Sequence, residues 1–243
     1  MSKKWLKVAL MVTAIATGTS IQVDAETVLY VPQDDRPVSL QYTVDTAKAA
    51  GMTVLTPPQN LISGKTYKGQ ADQIWNWVEQ NAGRADVMVL STDTLIYGGL
   101  VDSRKHNLPL STLENRLKRI EALKANHKNT RIYGFGTVMR SPRASGGGTE
   151  PSYYADYGPT IFQIAALQDK LDAGTLTQAE TQKLMSLQAS VPIEYLQDWF
   201  SRRQKNMQVN KDLIDEARNG VFSYFALGHD DTSQLSQSAL EGR

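Results

Sequence analysis

The fold of this chain is decided by the stretch Val28-Leu-Tyr-Val-Pro-Gln-Asp-Asp-Arg-Pro37. Its first four residues are apolar, β-branched or aromatic, which favours a strand, and Pro32 ends the strand because proline has no N–H to donate. Asp34 and Asp35 follow at once, and a helical pattern comes after them. In parallel α/β folds this order places polar groups at the carboxyl end of a strand, where binding sites form. The stretch therefore predicts a parallel sheet with a candidate site at its first strand end, although acids and prolines are also ordinary turn residues.

The same layout recurs along the chain. Further strands are predicted at residues 52–55, 86–90, 131–138 and 221–227. The polar tips that follow the later strands are Asp93, Arg140 with Glu150, and Asp230 with Asp231. Parallel strands joined by helices end at the same edge of a sheet, so these tips are expected to converge on one site.

The fold class predicted from this repetition is α/β, with βα units around a parallel sheet. A single domain is expected over residues 26–243, with a helical insertion at about 151–220 after the fourth strand. The spread of charged tips over most strands favours a barrel-like arrangement, because a barrel draws on all its strand ends whereas an open sheet uses one switch point. Five strands cannot close an eight-stranded barrel, so the chain is expected to be either an open sheet or incomplete.

Composition limits the classes of partner and cofactor. The chain has 243 residues, of which 41% are hydrophobic, and this is enough for one sizeable core. A net charge of +1 without a polybasic run argues against nucleic acid. Gly98-Gly99 permits unusual backbone angles or a close approach of a ligand, but no dinucleotide or Walker spacing is present. The absence of cysteine excludes disulfides and Cys-ligated zinc, and no cofactor is expected.

The N-terminus is interpreted as a secretory signal peptide over residues 1–25. A region with three lysines precedes an apolar segment at 8–21, and Val23-Asp-Ala25 has small or apolar residues at the cleavage positions. The mature chain is then expected to begin at Glu26, to be secreted, and to have no membrane contact after cleavage. An uncleaved anchor is the alternative, but the apolar run is short for a membrane span. Export argues against ATP- or NAD-dependent chemistry.

Five motifs along the chain resemble one known family. They are Val31-Pro-Gln-Asp-Asp-Arg-Pro37, Asp93-Thr-Leu-Ile-Tyr-Gly-Gly-Leu-Val-Asp-Ser-Arg104, Met139-Arg140, Glu150-Pro-Ser-Tyr-Tyr-Ala-Asp-Tyr-Gly158 and Leu227-Gly-His-Asp-Asp231. In this order they resemble the DUF4127 family, which is bacterial and whose members are about twice as long as this chain. The resemblance implies no established activity. It also implies a truncated or split member, because family members continue with further strands and acidic motifs.

The first functional hypothesis is a glycoside hydrolase that acts on an extracellular glycan. Paired carboxylates at strand ends are the machinery of general acid–base catalysis on an acetal, and an Asp-Asp pair after a strand is similar to that of substrate-assisted hexosaminidase-type enzymes. Asp230 and Asp231 are the expected catalytic pair. Tyr153 and Tyr157 are expected to add to a sugar-stacking wall. The residues assigned to substrate binding are Asp34, Asp35, Arg36, Asp93, Tyr97, Arg104, Arg140, Glu150 and Tyr154.

Two alternatives stay open. One is a Mg²⁺- or Ca²⁺-dependent hydrolase, because these cations prefer oxygen ligands; the three histidines lack the spacing of a zinc site. Its ligands would come from Asp34, Asp35, Asp93, Asp230 and Asp231. The other alternative is a non-catalytic, vestigial glycan-binding fragment. If the chain lacks later strands, the strand at 221–227 is expected to lie at an edge and to promote self-association.

Overall fold

Five parallel strands form the centre of the fold. The computed structural model describes residues 25–144, 147–229, 233 and 235–242. The strands are β1 (Thr27–Val31), β2 (Thr53–Leu55), β3 (Val87–Ser91), β4 (Arg131–Val138) and β5 (Tyr224–His229). Their order across the sheet is β2-β1-β3-β4-β5, and every neighbouring pair is parallel. The prediction of an α/β fold with a parallel sheet is confirmed, and the sheet is open rather than barrel-like.

The strand order creates a topological switch point beside β1. The chain passes from β1 to β2 on one side and returns to β3 on the other side, where Val28 pairs with Val87 and Val31 with Leu90. In open α/β sheets, ligands bind in the crevice at such a point, outside the carboxyl ends of the strands. The tips that follow β1 and β3 therefore lie together at the edge of the sheet where a site is expected.

Helices connect the strands and cover the sheet. In the described part of the chain they are α1 (Gln41–Ala49), α2 (Ala71–Asn81), α3 (Thr92–Tyr97), α4 (Leu100–Lys105), α5 (Leu110–Asn126), α6 (Tyr154–Asp172), α7 (Gln178–Ala189), α8 (Ile193–Arg218) and α9 (Gln237–Glu241). Within these described residues, no helix has the length and apolar character needed to cross a bilayer.

The main core lies on the face of the sheet that is covered by α2, α5 and α8. From β1 it receives Leu29 and Val31, which are fully buried. From α2 it receives apolar side chains at helical spacing, among them Trp75, whose Nε1 donates to the carbonyl of Leu95 over 2.8 Å. That bond joins α2 to α3, the short helix that follows β3. The core therefore fixes the position of Asp93 in the first turn of α3.

β5 is an edge strand of the described sheet. It pairs with β4 alone, and Tyr224 at its start is 64% exposed. The expectation of an edge strand is confirmed, but the strand begins three residues later than the predicted 221. The reason is that Phe222 turns into the core, where a Cβ on Gly134 would come within 2.6 Å of its ring. Self-association through this edge stays a prediction.

The predicted helical insertion consists of α6, α7 and α8. A capping box starts α7: Thr177 Oγ1 accepts from the N–H of Glu180, whose carboxylate accepts from the N–H of Thr177. A second core forms where the three helices meet, with the rings of Tyr154 and Trp199 4.6 Å apart at its centre. The insertion therefore has a core of its own and supports the loop between β4 and α6.

Candidate functional site

A polar cavity opens at the carboxyl edge of the sheet beside the switch point. Its volume is about 350 Å³, and we call it the switch-point cavity. The residues that line it are Gln33, Asp34, Arg36, Lys65, Leu100, Val101, Arg104, Thr137, Arg140 and Thr149. The cavity therefore brings together residues from the tips of β1 and β4, from α4, and from the loop that follows β2.

Asp93 lies beneath this cavity and holds two of its lining residues. Its Oδ2 accepts hydrogen bonds from Gln33 Nε2 over 2.7 Å and from Thr137 Oγ1 over 2.9 Å. The residue is only 2% exposed, and burial raises the pKa of its carboxyl from 3.8 to about 6. Hydrogen bonds from Gln33 and Thr137 oppose this shift in the pKa but do not cancel it. Asp93 therefore positions the amide and the hydroxyl that ligands would meet.

Local packing keeps the floor of the cavity rigid. Ser91 caps α3, since its Oγ accepts from the N–H of Thr94 over 3.3 Å. The hydroxyl of Thr94 donates to the carbonyl of Pro32 over 2.6 Å and so joins α3 to the tip of β1. A Cβ on Gly136 would lie 2.2 Å from Thr92 Oγ1, so a side chain at this position would displace the Thr92 hydroxyl, which donates to the carbonyl of Phe135.

The adjacent acids of the first tip face different surroundings. Asp34 lines the switch-point cavity, and its Oδ2 accepts from Arg36 Nε over 2.7 Å. Asp35 instead lines a separate cavity of about 620 Å³ together with Trp77, and its carboxylate accepts from the hydroxyl of Tyr67. The two acids were both assigned to one substrate site. The structure places Asp34 there and Asp35 outside it.

A cluster of arginines around one buried carboxylate forms another wall of the cavity. Glu150, which is 4% exposed, accepts from Arg140 Nε over 2.6 Å and from Thr149 Oγ1 over 2.9 Å. Its Oε1 is also 2.5 Å from Arg140 Nη2 and 3.8 Å from Arg104 Nη1. Hydrogen bonds between ionised partners are the strongest in proteins. Glu150 therefore fixes the guanidinium of Arg140, and Arg104 lies beside them.

The loop that carries Lys65 is held by a close contact between backbones. The N–H of Gly69 donates to Asp102 Oδ2 over 3.0 Å, and a Cβ on Gly69 would lie 1.9 Å from the carbonyl oxygen of Gly98. Gly98 has a φ of 109°, in the left-handed region that favours glycine. Unusual backbone angles are predicted at Gly98-Gly99, and the positive φ of Gly98 confirms them there; the close approach seen in the structure is to this loop. The contact sets where Lys65 meets the cavity.

Two tyrosines that were assigned to substrate binding lie in the protein interior instead. Tyr97 is buried and stacks on His106, with ring centroids 5.0 Å apart. Tyr154 is 1% exposed, and its hydroxyl donates to the carbonyl of Pro142. Both rings pack in hydrophobic cores, because burial of an aromatic ring stabilises the fold. The predicted stacking wall is therefore not formed by Tyr154.

The neighbouring tyrosines of that motif pack on α8. Tyr153 stacks on Tyr195 with ring centroids 4.7 Å apart, and its hydroxyl donates to Asp198 Oδ2 over 2.5 Å. Tyr157 also contacts the ring of Tyr195, at 5.5 Å. None of these tyrosines lines the switch-point cavity. The predicted catalytic residues Asp230 and Asp231 lie outside the described residues.

Sequence reasoning missed four polar residues of the cavity, which are Gln33, Lys65, Thr137 and Thr149. Gln33 and Thr137 had a detectable signal, since each lies at the carboxyl end of a predicted strand or directly after it. Lys65 had no such signal in the sequence, because its loop is brought to the cavity by the contact between Gly69 and Gly98, which are far apart in the chain.

No metal centre is evident in the described part of the chain. Among the described residues, no group of three His, Asp or Glu side chains lies close enough to hold an ion. Asp34 and Asp35, two of the five ligands of the metal hypothesis, line different cavities.

Comparison with known proteins gives a family without an assigned activity. The model of a family described as "Protein of unknown function (DUF4127)" matches residues 28–243. No match was found among curated proteins or among solved structures.

Proposed function

The chain belongs to the DUF4127 family, and from this premise we propose that it is an exported carbohydrate-active protein that binds a glycan in the switch-point cavity and hydrolyses it. Export is supported by the leader-like sequence of residues 1–25. Glycan binding is supported by the cavity, and hydrolysis by the acid pair that follows β5 in the sequence.

The observation that carries the proposal is the chemistry of the cavity lining. Amide, carboxylate, hydroxyl and guanidinium groups converge on one small space of about 350 Å³, near the lower end of the usual range for small-molecule sites. A sugar presents hydroxyls that each donate and accept, so it requires donors and acceptors in close alternation. Asp34 accepts, the guanidinium of Arg140 donates, and the amide of Gln33 can do both.

The fixed orientation of these groups supports specific recognition. The amide nitrogen of Gln33 is bonded to Asp93, which leaves the amide carbonyl oxygen as an acceptor. The hydroxyl of Thr137 also donates to Asp93, so its oxygen presents lone pairs. Groups that are already held in place lose little conformational entropy when a ligand binds. Asp93 thus contributes to binding through the two residues that it positions.

Hydrolysis would use the carboxyl groups of Asp230 and Asp231. They follow β5 directly, and parallel strands end at the edge where the switch-point cavity lies. One acid would protonate the leaving oxygen while the other orients the 2-acetamido group of the substrate, whose carbonyl oxygen attacks the anomeric carbon; water would then open this intermediate and return the proton to the first acid. Asp→Asn at the proton donor is expected to cost about 10²–10⁴-fold in rate. That loss should shrink on an aryl glycoside, which needs little protonation, whereas the partner substitution should slow all substrates alike.

Binding without hydrolysis is the second candidate function. The observation that favours it is the burial of Asp93, because a carboxyl that is 2% exposed cannot reach a glycosidic oxygen. Among the described carboxyls of the site, Asp34 and Glu150 are engaged with arginines. Release of reducing ends from an oligosaccharide that the protein binds would distinguish the two functions: hydrolysis requires release, and a binding protein shows none.

Two neighbouring acids provide a matched test of the site. Asp34→Asn changes the switch-point cavity, whereas Asp35→Asn makes the same change one residue away in a different cavity. We expect Asp34→Asn to weaken binding of a cell-wall oligosaccharide at least about tenfold by calorimetry, the worth of a hydrogen bond to a charged group. Asp35→Asn should change it less than about threefold. Equal losses in the two variants, or no oligosaccharide bound at all, would contradict the proposal.

A further inference from the structure

We propose that Arg203 on α8 is a positioning residue of the switch-point cavity, and that it acts through Arg140 as one unit with Glu241 on α9. Arg140 lines the cavity, whereas neither Arg203 nor any described residue of α9 does. The inference rests on the proposed function, because it says how the wall that carries Arg140 is held in place for a glycan. It makes the short helix α9 a part of the binding machinery.

Arg203 holds the chain where β4 leaves the sheet. β4 ends at Val138, which pairs with His229 of β5, so the carbonyls of the next two residues lie beyond the ladder and require other donors. Arg203 donates to both of them, from Nη2 to Met139 over 2.6 Å and from Nη1 to Arg140 over 2.9 Å. The guanidinium therefore fixes the backbone from which the Arg140 side chain enters the cavity wall.

Glu241 fixes the orientation of that guanidinium. Its two carboxylate oxygens accept from Arg203 Nε over 2.7 Å and from Arg203 Nη2 over 2.6 Å, and the two side chains are only 7% and 1% exposed. A buried charge needs its counter-ion, and removal of one partner leaves the other uncompensated. Ser238 on α9 also donates to the carbonyl of Met139 over 2.8 Å. The end of β4 is therefore attached to α9 both directly and through Arg203.

The side chain of Arg140 passes this restraint to the cavity. Glu150 accepts from its Nε over 2.6 Å, and Thr149 Oγ1 accepts from its Nη2 over 2.6 Å. Among the described residues no partner of Arg140 Nη1 is found, so this nitrogen is the one that can donate to a sugar hydroxyl. A shift of the backbone that Arg203 holds would displace Nη1, and a hydrogen bond weakens steeply when its geometry is poor.

The test is a double-mutant cycle between Glu241 and Arg140, with binding measured by calorimetry. The probe is the β-1,4-linked tetramer of 2-acetamido-2-deoxyglucose, which carries the group that the proposed mechanism requires. Glu241→Gln should weaken binding about threefold to tenfold, the worth of one hydrogen bond, and Arg140→Gln at least as much. The double variant should bind no more than about twofold more weakly than Arg140→Gln, because both changes remove the same contact. Additive losses, or an unchanged affinity in Glu241→Gln, would overturn the inference.

Asp198→Asn is the matched control on the same helix. Asp198 pairs over 2.6 Å with Arg202, the neighbour of Arg203, and Arg202 donates to the carbonyl of His106 instead of to the end of β4. This variant should lower the melting temperature without changing the affinity for the tetramer. Equal losses of affinity in Asp198→Asn and Glu241→Gln would show a general effect of stability and would overturn the positioning role.

A second measurement needs no ligand. The Nε–H of Arg140 should give a slowly exchanging NMR signal in the wild type, because Glu150 accepts from it. Its exchange should become faster in Glu241→Gln and stay unchanged in Asp198→Asn, since only the first change releases the end of β4. Equal exchange in the wild type and Glu241→Gln would overturn the inference. Faster exchange in Glu241→Gln, together with a wild type that binds no tetramer, would count against the proposed function and leave the positioning of Arg140 intact.

Discussion

Thr137 Oγ1 donates a hydrogen bond to Asp93 Oδ2 over 2.9 Å, and this bond joins the end of β4 to the first turn of α3. The same oxygen accepts from Gln33 at the tip of β1. One buried carboxyl therefore links the ends of three neighbouring strands at the switch point. The walls of the cavity keep their relative positions because they share this acceptor.

Asp93 should make the stability of the protein depend on pH. Burial raises its pKa from 3.8 to about 6, so the folded state holds a proton that the unfolded state releases between these values. Its contribution is fully present below pH 3.8 and is lost as the pH rises through 6. Relative to Asp93→Asn, the wild type should lose on the order of 2–3 kcal/mol of unfolding free energy between pH 4 and pH 7. Urea denaturation of both proteins across this range measures the difference.

A constant difference between the wild type and Asp93→Asn at all pH values would show that Asp93 has an ordinary pKa. The matched control is Asp86→Asn, because Asp86 lies at the opposite end of β3, where its Oδ2 accepts from the N–H of Thr27. That substitution should remove a hydrogen bond but should not reproduce the loss of stability toward neutral pH.

His106 should give the stability of the protein the opposite dependence on pH. Burial lowers its pKa from 6.5 to about 4, and its contacts fit the neutral ring: Nε2 lies 2.7 Å from Asn206 Oδ1, while Nδ1 accepts from the N–H of Leu108. The unfolded state binds the proton more readily, so stability is present above pH 6.5 and is lost as the pH falls toward 4. His106→Gln should remove this acid loss. An NMR titration that gives a pKa near 6.5 for His106 would contradict the prediction.

Gly69→Ala should destabilise the fold and weaken ligand binding together. Its Cβ would lie 1.9 Å from the carbonyl oxygen of Gly98, a backbone atom that cannot rotate away, so a cost of roughly 1–3 kcal/mol is expected. The shift would also displace Lys65 from the cavity. Gly83→Ala is the control, since its nearest new contact is 4.0 Å away at His127. Thermal melts of the two variants should differ, and equal melting temperatures would contradict the close contact.

Tyr224→Lys should reduce association of the protein. Tyr224 begins the edge strand β5 and is 64% exposed, and an unpaired edge with an exposed aromatic residue promotes pairing with another copy. We expect dimers or larger species of the wild type by light scattering, with fewer in the variant because lysine on an edge opposes pairing. Tyr42→Lys is the control, since Tyr42 is 62% exposed on α1. A wild type that stays monomeric at high concentration would exclude self-association through β5.

The sheet could be predicted from the sequence because its signals are local. Apolar strands followed by polar tips recur along the chain, and β4 was predicted with its observed bounds, Arg131–Val138. The placement of Asp34 and Asp93 at one edge followed from parallel strands alone. β5 begins later than predicted because Phe222, which has the strand propensity of an aromatic residue, packs in the core against Gly134 instead of pairing in the sheet. This packing is a contact between distant segments, which the local sequence does not indicate.

The composition of the site was harder to predict because it depends on contacts between distant segments. Asp34 and Asp35 are adjacent in the sequence, yet they lie in a turn and their side chains line different cavities. Tyr154 looked like a surface aromatic in its motif, but Trp199, on α8, buries it. Lys65 reaches the cavity through a backbone contact of its loop that no local pattern indicates.

A crystal structure of the protein with its tightest-binding oligosaccharide tests the central claim most directly. We expect a sugar ring in the switch-point cavity, with its hydroxyls within hydrogen-bonding distance of Gln33 and Asp34. Density for the sugar in the cavity beside Trp77, or in the helical insertion, with the switch-point cavity empty of sugar, would contradict the proposal.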